Sequence, residues 1–479
     1  MIRMSVRDVM EATGATLVAG DPSVVFEGVE IDSRAVRDGG AFVAFVCERV
    51  DGNQYAATAL EAGASLVVLT AEPTEELLTA VSCGQSAVLR AKDDDGEAFM
   101  LALAGAWRAR NPQWVVAGVT GSVGKTTTKD MLAAAVGATR RVHATKGNFN
   151  NLLGVPLTLM RAPADAEVLV VEMGMNHAGE LRRIAACARP DVAVITNVGT
   201  SHIGNLGSRE GIARAKAEVV SGMRGTDDVP ATLVLTASDD YTGFIEREFA
   251  APAGVRVLRV GEGAASNLHA QDVSLDYDGL PTCTLVFEDG ALLTGALSLP
   301  GKAMVADALS AMGVCEALGL DREASFAALC SLASTHMRME VRQQPGTPRV
   351  IDDSYNASPS SMAAALDVLC SMRCDGRRVA VLGEIGELGD EADRLHGLVG
   401  AYAAAKPLDL LVLVGGEGAR VMEDAARTMG LSEDRIERFD TAQKAASVMK
   451  DALAPSDLVL VKASRAVGLD LFAREVLGS

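Results

Sequence analysis

The sequence predicts an α/β protein of three domains, with a central doubly wound, mostly parallel sheet that carries a phosphate-binding loop and is flanked by two further α/β domains. Three observations lead there. At 479 residues the chain is long enough for about three ordinary domains, each with its own core. Short β-branched runs alternate with amphipathic stretches along most of it, the pattern of strand–helix–strand units. One run, Trp114-Val-Val-Ala-Gly-Val-Thr-Gly-Ser-Val-Gly-Lys-Thr-Thr-Thr-Lys129, breaks from an apolar strand into glycines, a lysine and hydroxyl residues.

Composition narrows the class. Hydrophobic residues make up 49% and charged residues 22%, a globular balance with no disordered tract. The longest apolar runs, such as 410–414, fall far short of the ~18 residues a membrane span needs. Arg3, Arg7 and Asp8 interrupt the first apolar residues, which argues against a signal peptide. A soluble cytoplasmic monomer, not inserted in a membrane, is expected. Eight cysteines, at 47, 83, 187, 283, 315, 330, 370 and 374, form no C-x-x-C pair and read as buried, reduced thiols. A net charge of −19 argues against a nucleic-acid partner. If the substrates are anionic, a few local cations and metal ions must overcome that repulsive background.

Taken in order, residues 1–110 read as a first domain: helix 4–12, strands 24–31 and 41–45, helix 56–62, strand 65–69 and helix 97–110. The last ends at Asn111-Pro112, a natural boundary because proline disfavours helix in the residue before it. Asp32-Ser33-Arg34 follows a strand; a loop Ser–Arg pair either binds a phosphate or a base edge, or stays in solvent.

A second domain, 111–328, opens with the strand at Val115, Val116 and Val119, and a helix 126–136 follows. Glycines at 118, 121 and 124 let the backbone approach a polyanion, and the helix N-terminus adds about half a positive charge. In Gly121-Ser122-Val123-Gly124-Lys125-Thr126-Thr127, Lys125 reaches β- and γ-phosphates and Thr126 offers a hydroxyl to Mg²⁺. The strict G-x-x-x-x-G-K-[ST] pattern is missed by one position, since Val119 stands at its first glycine. A glycine turn before an ordinary helix is the bland alternative, and Gly-Lys-Thr between strand and helix speaks against it.

Buried strands 168–174 and 191–197 end on Glu172 and lead to His202. In open α/β sheets the ligand crevice lies at the carboxyl ends of the strands. Lys125, Thr126, Glu172 and His202 therefore converge on one edge. In the helix 208–223, Lys216 shares the apolar stripe of Ile212 and Val219. Two readings stand: its amine snorkels to water, or it is neutral and reacts with CO₂, the carbamate then giving oxygen ligands for Mg²⁺. A β-rich stretch (255–260, 284–287, 291–299) and a helix 305–318 complete this domain. The last third, 329–479, alternates again: strands 350–353, 379–382, 408–414 and 458–461, with helices 361–372, 391–404 and 417–429. Its Gly415-Gly-Glu-Gly418 follows a strand without a full dinucleotide fingerprint.

These motifs together resemble the ATP-dependent Mur ligases of peptidoglycan synthesis. The residues that carry the likeness are 118–129, Asn148-Phe-Asn-Asn151 before Gly154-Val-Pro156, Glu172-Met-Gly174, Thr196-Asn197 with His202, Ala215-Lys216 and Asp32-Ser-Arg34. Asp352-Asp-Ser-Tyr-Asn-Ala-Ser-Pro359 and Leu382-Gly-Glu-Ile-Gly-Glu-Leu-Gly389 with His396 resemble the members that add a dipeptide. The resemblance runs from about 28 to 465 and implies three domains, the last Rossmann-like and closing over ATP with the incoming dipeptide. It implies ATP and Mg²⁺ as cofactors, and UDP-N-acetylmuramoyl-tripeptide and D-alanyl-D-alanine as substrates joined through an acyl phosphate. By the same resemblance Ser33 and Arg34 bind the UDP-sugar, and Asn150 and Asn151 the muramoyl peptide. Lys125, Thr126 and Glu172 hold the triphosphate and one Mg²⁺; His202 and a carbamylated Lys216 hold a second. Arg338, Asp353, Tyr355 and Asn356 contact ATP from the third domain, Asp353 at the ribose and Arg338 at the phosphates.

The chain departs from the family pattern at Ala303 (usually His), Asp307 (usually Asn), Met337 (usually Gly, before Arg338), Ala463 (usually Gly) and in Thr236-Ala-Ser-Asp-Asp240, which lacks an Asn. Adenine contacts are affected; phosphate and metal positions are not. Rival readings are another amide ligase of the superfamily, tripeptide-forming or like folylpolyglutamate synthase, and a nucleotide switch without ligase activity. The sequence leaves open whether the third peptide residue is diaminopimelate or lysine.

Overall fold

A computed structural model describes residues 1–47, 50–81, 85–262 and 266–478; Cys83 lies outside the described residues. The first sheet contains β1 (Thr16–Gly20), β2 (Val29–Glu30), β3 (Ala41–Val43), β4 (Leu66–Leu69) and β5 (Ala87–Arg90), in the order β1-β5-β4-β3-β2. Only β1 runs antiparallel. The expected helix 4–12 starts later, at Val6, because Ser5 caps it in a reciprocal capping box with Asp8. Arg3–Ser5 pairs instead with Val25–Glu27. The expected strand 24–31 is broken in two at Gly28, whose φ of 83° no extended strand accepts. Helix α1 (Gly96–Arg110) is capped by Asp95 and packs Phe99, Met100 and Leu103 toward helices of the middle domain, so the first two domains share one apolar core.

The middle sheet has nine strands: β6 (Val115–Thr120), β7 (Val142–Ala144), β8 (Val168–Glu172), β9 (Val192–Ile195), β10 (Thr232–Thr236), β11 (Arg256–Val260), β12 (Leu268–Leu275), β13 (Pro281–Phe287) and β14 (Leu292–Ala296). Their order is β7-β8-β6-β9-β10-β11-β12-β13-β14. All pairings are parallel as far as β12, and the last three strands form an antiparallel meander. The parallel strands are covered on both faces, which is why they read as unbroken Val/Ile/Leu runs. Helix α2 (Lys125–Gly137) follows β6. Helix α3 (Arg209–Ala217) is shorter than the expected 208–223: it tightens into a 3-10 turn at Glu218–Gly222, where a Cβ on Gly222 would lie 2.2 Å from the Ala185 carbonyl oxygen.

Helix α4 (Ala303–Ala317) is apolar nearly all round and lies against the middle sheet. Helix α5 (Arg322–Cys330) packs on α2, with Ser325 Oγ donating to the Ala135 carbonyl at 3.2 Å. A division at 328/329 therefore cuts a helix; we place it in the connection 331–339.

The third sheet comprises β15 (Glu340–Arg342), β16 (Arg349–Asp352), β17 (Arg378–Gly383), β18 (Leu410–Val414), β19 (Ile436–Phe439) and β20 (Leu458–Lys462), in the order β15-β16-β20-β17-β18-β19. All but β15 are parallel. The domain docks against the carboxyl edge of the middle sheet: a Cβ on Gly204 would lie 2.8 Å from the Gly389 nitrogen. Arg349 also reaches Asp278 at 2.9 Å, and the Arg373 N–H donates to the Tyr277 carbonyl at 2.8 Å.

Among the described residues no helix is long and apolar enough to cross a membrane. Of the cysteines expected to be buried, Cys187, Cys283 and Cys315 are; Cys47 is exposed, on the hairpin of Val46–Cys47 and Val50–Asp51.

Candidate active site

Strand β6 delivers the chain into a tight loop whose shape depends on glycine twice. Gly121 has φ of 150°, and a Cβ there would stand 1.8 Å from Thr196 Oγ1. Gly124 has φ of 84° and would strike Asp307. The end of β9 braces this loop from beside it. Asn197 accepts the Val123 N–H at 3.0 Å and donates to the Val123 carbonyl at 3.0 Å, while Thr196 Oγ1 donates to the same carbonyl at 2.6 Å. The Ser122 hydroxyl accepts the Gly199 N–H at 2.9 Å.

Lys125 folds back over the loop and donates to the carbonyls of Gly121 (2.9 Å) and Ser122 (3.4 Å). Desolvation of its amine lowers its pKa, with the Glu172 charge opposing. A polyphosphate would replace these carbonyls with stronger, charge-assisted partners. Thr127 completes the first turn of α2.

Glu172 ends β8, almost fully buried. Its Oε1 accepts hydrogen bonds from Asn150 Nδ2 at 2.8 Å and Thr126 Oγ1 at 3.3 Å; its Oε2 is buried without a partner. An orphaned carboxylate oxygen beside a threonine hydroxyl fits a cation. No cluster of three or more His, Cys, Asp or Glu able to hold a metal occurs among the described residues. The buried carboxylate oxygen and the neighbouring hydroxyl would suit Mg²⁺, which takes one or two protein oxygens and fills the rest of its shell with phosphate and water.

Lys216 is 1% exposed, on α3, and its pKa falls well below the ordinary lysine value, first through desolvation and then through the nearby Lys125 charge. The snorkelling alternative is excluded: this amine lies in the interior, within the field of the phosphate-loop lysine. His202 has φ of 63°, and its Nδ1 lies 2.5 Å from Glu387 Oε2 of the third domain, close but off line for a good hydrogen bond. That contact holds the Glu387 carboxyl below its usual range.

From the third domain Arg338 stacks over the Tyr355 ring at 4.1 Å and donates to Thr126 Oγ1 at 3.3 Å, which brings a second fixed cation to the phosphate end. Met337, standing where the family has glycine, has φ of 61°, so the departure keeps the backbone conformation glycine would favour. Asp353 is held from below by Lys462 Nζ at 2.5 Å, and Lys462 also donates to the Asn356 carbonyl at 3.1 Å. Asn356 turns its own amide oxygen to the Ala357 N–H.

The remaining expected residues fall elsewhere. Ser33 is buried at the start of a 3-10 turn in the first domain, and the Arg34 guanidinium is taken by Asp32 at 2.9 and 2.7 Å. Neither joins the phosphate cluster. Asn151 Oδ1 accepts the N–H groups of Leu153 and Gly154, at the entry to the helix Gly154–Met160. The sequence reading missed Lys462, Glu387 and the position of Asp307. Lys462 had a signal: a lysine closing an apolar strand, as Glu172 closes another.

The chain is similar to known proteins along its whole length. Residues 119–315 match the Mur ligase middle domain, 337–465 the Mur ligase glutamate ligase domain, and 25–98 the Mur ligase family catalytic domain. It is 32% identical to the UDP-N-acetylmuramoyl-tripeptide–D-alanyl-D-alanine ligase of Bacillus subtilis, over 100% of this chain and 99% of that one. Among solved structures it resembles MurF from Acinetobacter baumannii, with a TM-score of 0.86 and 27% identity over 100% of both chains. It also resembles MurF ligase from Thermotoga maritima in complex with ADP, with a TM-score of 0.79 and 26% identity over 94% of this chain and 97% of that one.

Proposed function

The chain belongs to the Mur ligase family, and from that premise we infer that it is an ATP-dependent ligase adding D-alanyl-D-alanine to a UDP-N-acetylmuramoyl-tripeptide in peptidoglycan precursor synthesis. The observation that carries the reading is the convergence of Lys125, Thr126, Lys216, Arg338 and the half-satisfied carboxylate of Glu172 on one crevice.

A carboxylate resists attack by an amine, so the chemistry has two displacements. An oxygen of the tripeptide's terminal carboxylate attacks the γ-phosphorus, the bond to the β–γ bridging oxygen breaks, and ADP leaves. The dipeptide amine then attacks the acyl carbon, inorganic phosphate departs, and the amine gives up a proton. Lys125 and Arg338 flank the triphosphate and stabilise charge on the transferred group. Glu172 and Thr126 would hold Mg²⁺, which when bound supplies further neutralisation of the phosphate oxygens. Burial disfavours the charged form of Lys216 and so favours the free amine, the form able to take up CO₂; as a carbamate it would add an anionic oxygen, and His202 would complete that second site. Asn150 orients Glu172 beside the peptide end, and Ser33 and Arg34 serve the UDP end.

For the incoming dipeptide, a cavity of about 320 Å³ opens at the carboxyl edge of the third sheet, lined by Glu384, Gly386, His396, Gly418 and Ser464. Glu384 can receive an ammonium there, and Glu387, three residues on, already meets His202 across the domain boundary. Cytoplasmic location and action as a monomer follow from the same reading. The test is nucleotide-dependent turnover by Lys125→Ala: it should fall to background, and retained activity would refute the placement of ATP.

A further inference from the structure

Between the first and middle domains, where edge strand β2 faces edge strand β7, lies a cavity of about 330 Å³ that none of the steps above uses. Its wall includes Glu27, Glu30, Arg37, Lys146, Phe149 and Arg161. In a chain of net charge −19, this concentration of both signs in one hollow stands out. Arg161 is fixed from two sides. It pairs with Glu30 at 2.6 Å across the domain boundary and lies over the Phe149 ring at 5.3 Å. About 32% of its side chain and 28% of that of Glu30 remain exposed, so both ends of the pair can meet a ligand.

The cavity is one strand away from the chemistry. Ala144 lines it, and the next residue, Thr145, accepts the Glu172 N–H at 3.0 Å. Phe149 lines it, and the next residue, Asn150, donates to the Glu172 carboxylate at 2.8 Å. Neighbouring strands lie about 4.8 Å apart. The carboxylate to be activated belongs to the third residue of the peptide, so that residue's side chain starts within a few ångströms of Glu172. A straight side chain of four or five carbons extends about 5–6 Å.

We propose that this cavity receives the side chain of the third peptide residue, and that Arg161 and Glu30 select one ending in a zwitterionic head, ammonium plus carboxylate, over one ending in an ammonium alone. This rests on the ligase reading above. A guanidinium and a carboxylate held side by side complement such a head with two charge-assisted contacts. A bare ammonium can serve Glu30 but leaves Arg161 with nothing beyond the partner it already has. Diaminopimelate carries the first kind of side chain, lysine the second.

The experiment measures kcat/KM for amide formation with two UDP-N-acetylmuramoyl-tripeptides, one ending in diaminopimelate and one in lysine, for wild type, Arg161→Met and Arg161→Gln. Wild type should favour diaminopimelate by tenfold or more. Arg161→Met should lower the diaminopimelate value at least tenfold and the lysine value less than threefold. ADP binding, which uses none of these residues, reports folding. Should Arg161→Met fail to bind ADP, Arg161→Gln makes the comparison, with the same fall in preference expected. Equal losses on both substrates would mean that the cavity holds the shared sugar or diphosphate, and unchanged values that it holds nothing; either overturns the proposal. Absence of product with both substrates for wild type overturns the ligase reading and this inference with it.

Discussion

Lys462 Nζ lies 2.5 Å from Asp353 Oδ2, both residues nearly buried, at the adjacent ends of β20 and β16. The same amine donates to the Asn356 carbonyl, and Asp353 Oδ1 accepts the Met339 N–H at 3.3 Å, one residue from Arg338. One lysine thus ties together the three stretches of the third domain that we propose meet ATP. Lys462→Met strands a buried carboxylate, a loss of about 3–5 kcal/mol for buried pairs of this kind. We expect KM for ATP to rise tenfold or more with a smaller change in kcat. The double variant Lys462→Met/Asp353→Asn should recover thermal stability and keep the high KM. An unaltered KM in the single variant would show that the pair serves the fold alone.

Gly121→Ala should be more damaging than its size suggests. The added methyl would stand 1.8 Å from Thr196 Oγ1 on a backbone with φ of 150°, so the loop must open where its N–H groups are needed. ADP affinity measured by calorimetry is expected to fall at least tenfold. Gly179→Ala is the control: nothing lies within 4 Å of a Cβ there, and its φ of 88° also lies in the left-handed region. It should lose some stability and keep nucleotide affinity.

Asp307 is buried beneath the phosphate loop, accepts the Thr128 hydroxyl at 2.9 Å, and burial pushes its carboxyl up to about 7. Because this acid is raised above its unfolded value, the native state holds the proton more tightly. Its stabilising share is complete below about pH 4 and is lost as pH climbs toward 7. Asp307→Asn removes the ionisation, so its melting temperature should exceed that of wild type by a margin that widens from pH 5 to pH 8. A margin independent of pH would contradict this.

Lys216→Ala and Lys216→Arg should both be nearly inactive. The depressed pKa of the wild-type amine favours carbamate formation, and neither replacement can form one. Small added carboxylic acids should restore measurable turnover only to the alanine variant, which leaves room for them. Full activity of either variant without additive would exclude the carbamate.

Much of this site was legible because its determinants are local. Val-Thr-Gly-Ser-Val-Gly-Lys-Thr fixes strand, loop and helix within one short stretch, and Glu172 betrays itself by ending an apolar strand. Parallel strands covered on both faces also announce themselves by unbroken apolar runs. What stayed hidden depends on docking between domains. Nothing near Glu387 in sequence points to His202, and Glu30 and Arg161 are 131 positions apart. Asn151 also has a local use that its motif did not announce: its side-chain oxygen accepts the backbone N–H groups two and three residues on. The break at Gly28 was missed because apolar alternation continues across it, while its positive φ leaves no periodic trace.

The most direct test of the whole account is phosphate release by the purified wild-type protein with ATP, Mg²⁺, a UDP-N-acetylmuramoyl-tripeptide and D-alanyl-D-alanine, each omitted in turn. Release should require all four and match the amide product mole for mole. Phosphate release that continues at the same rate without the tripeptide or without the dipeptide would contradict it.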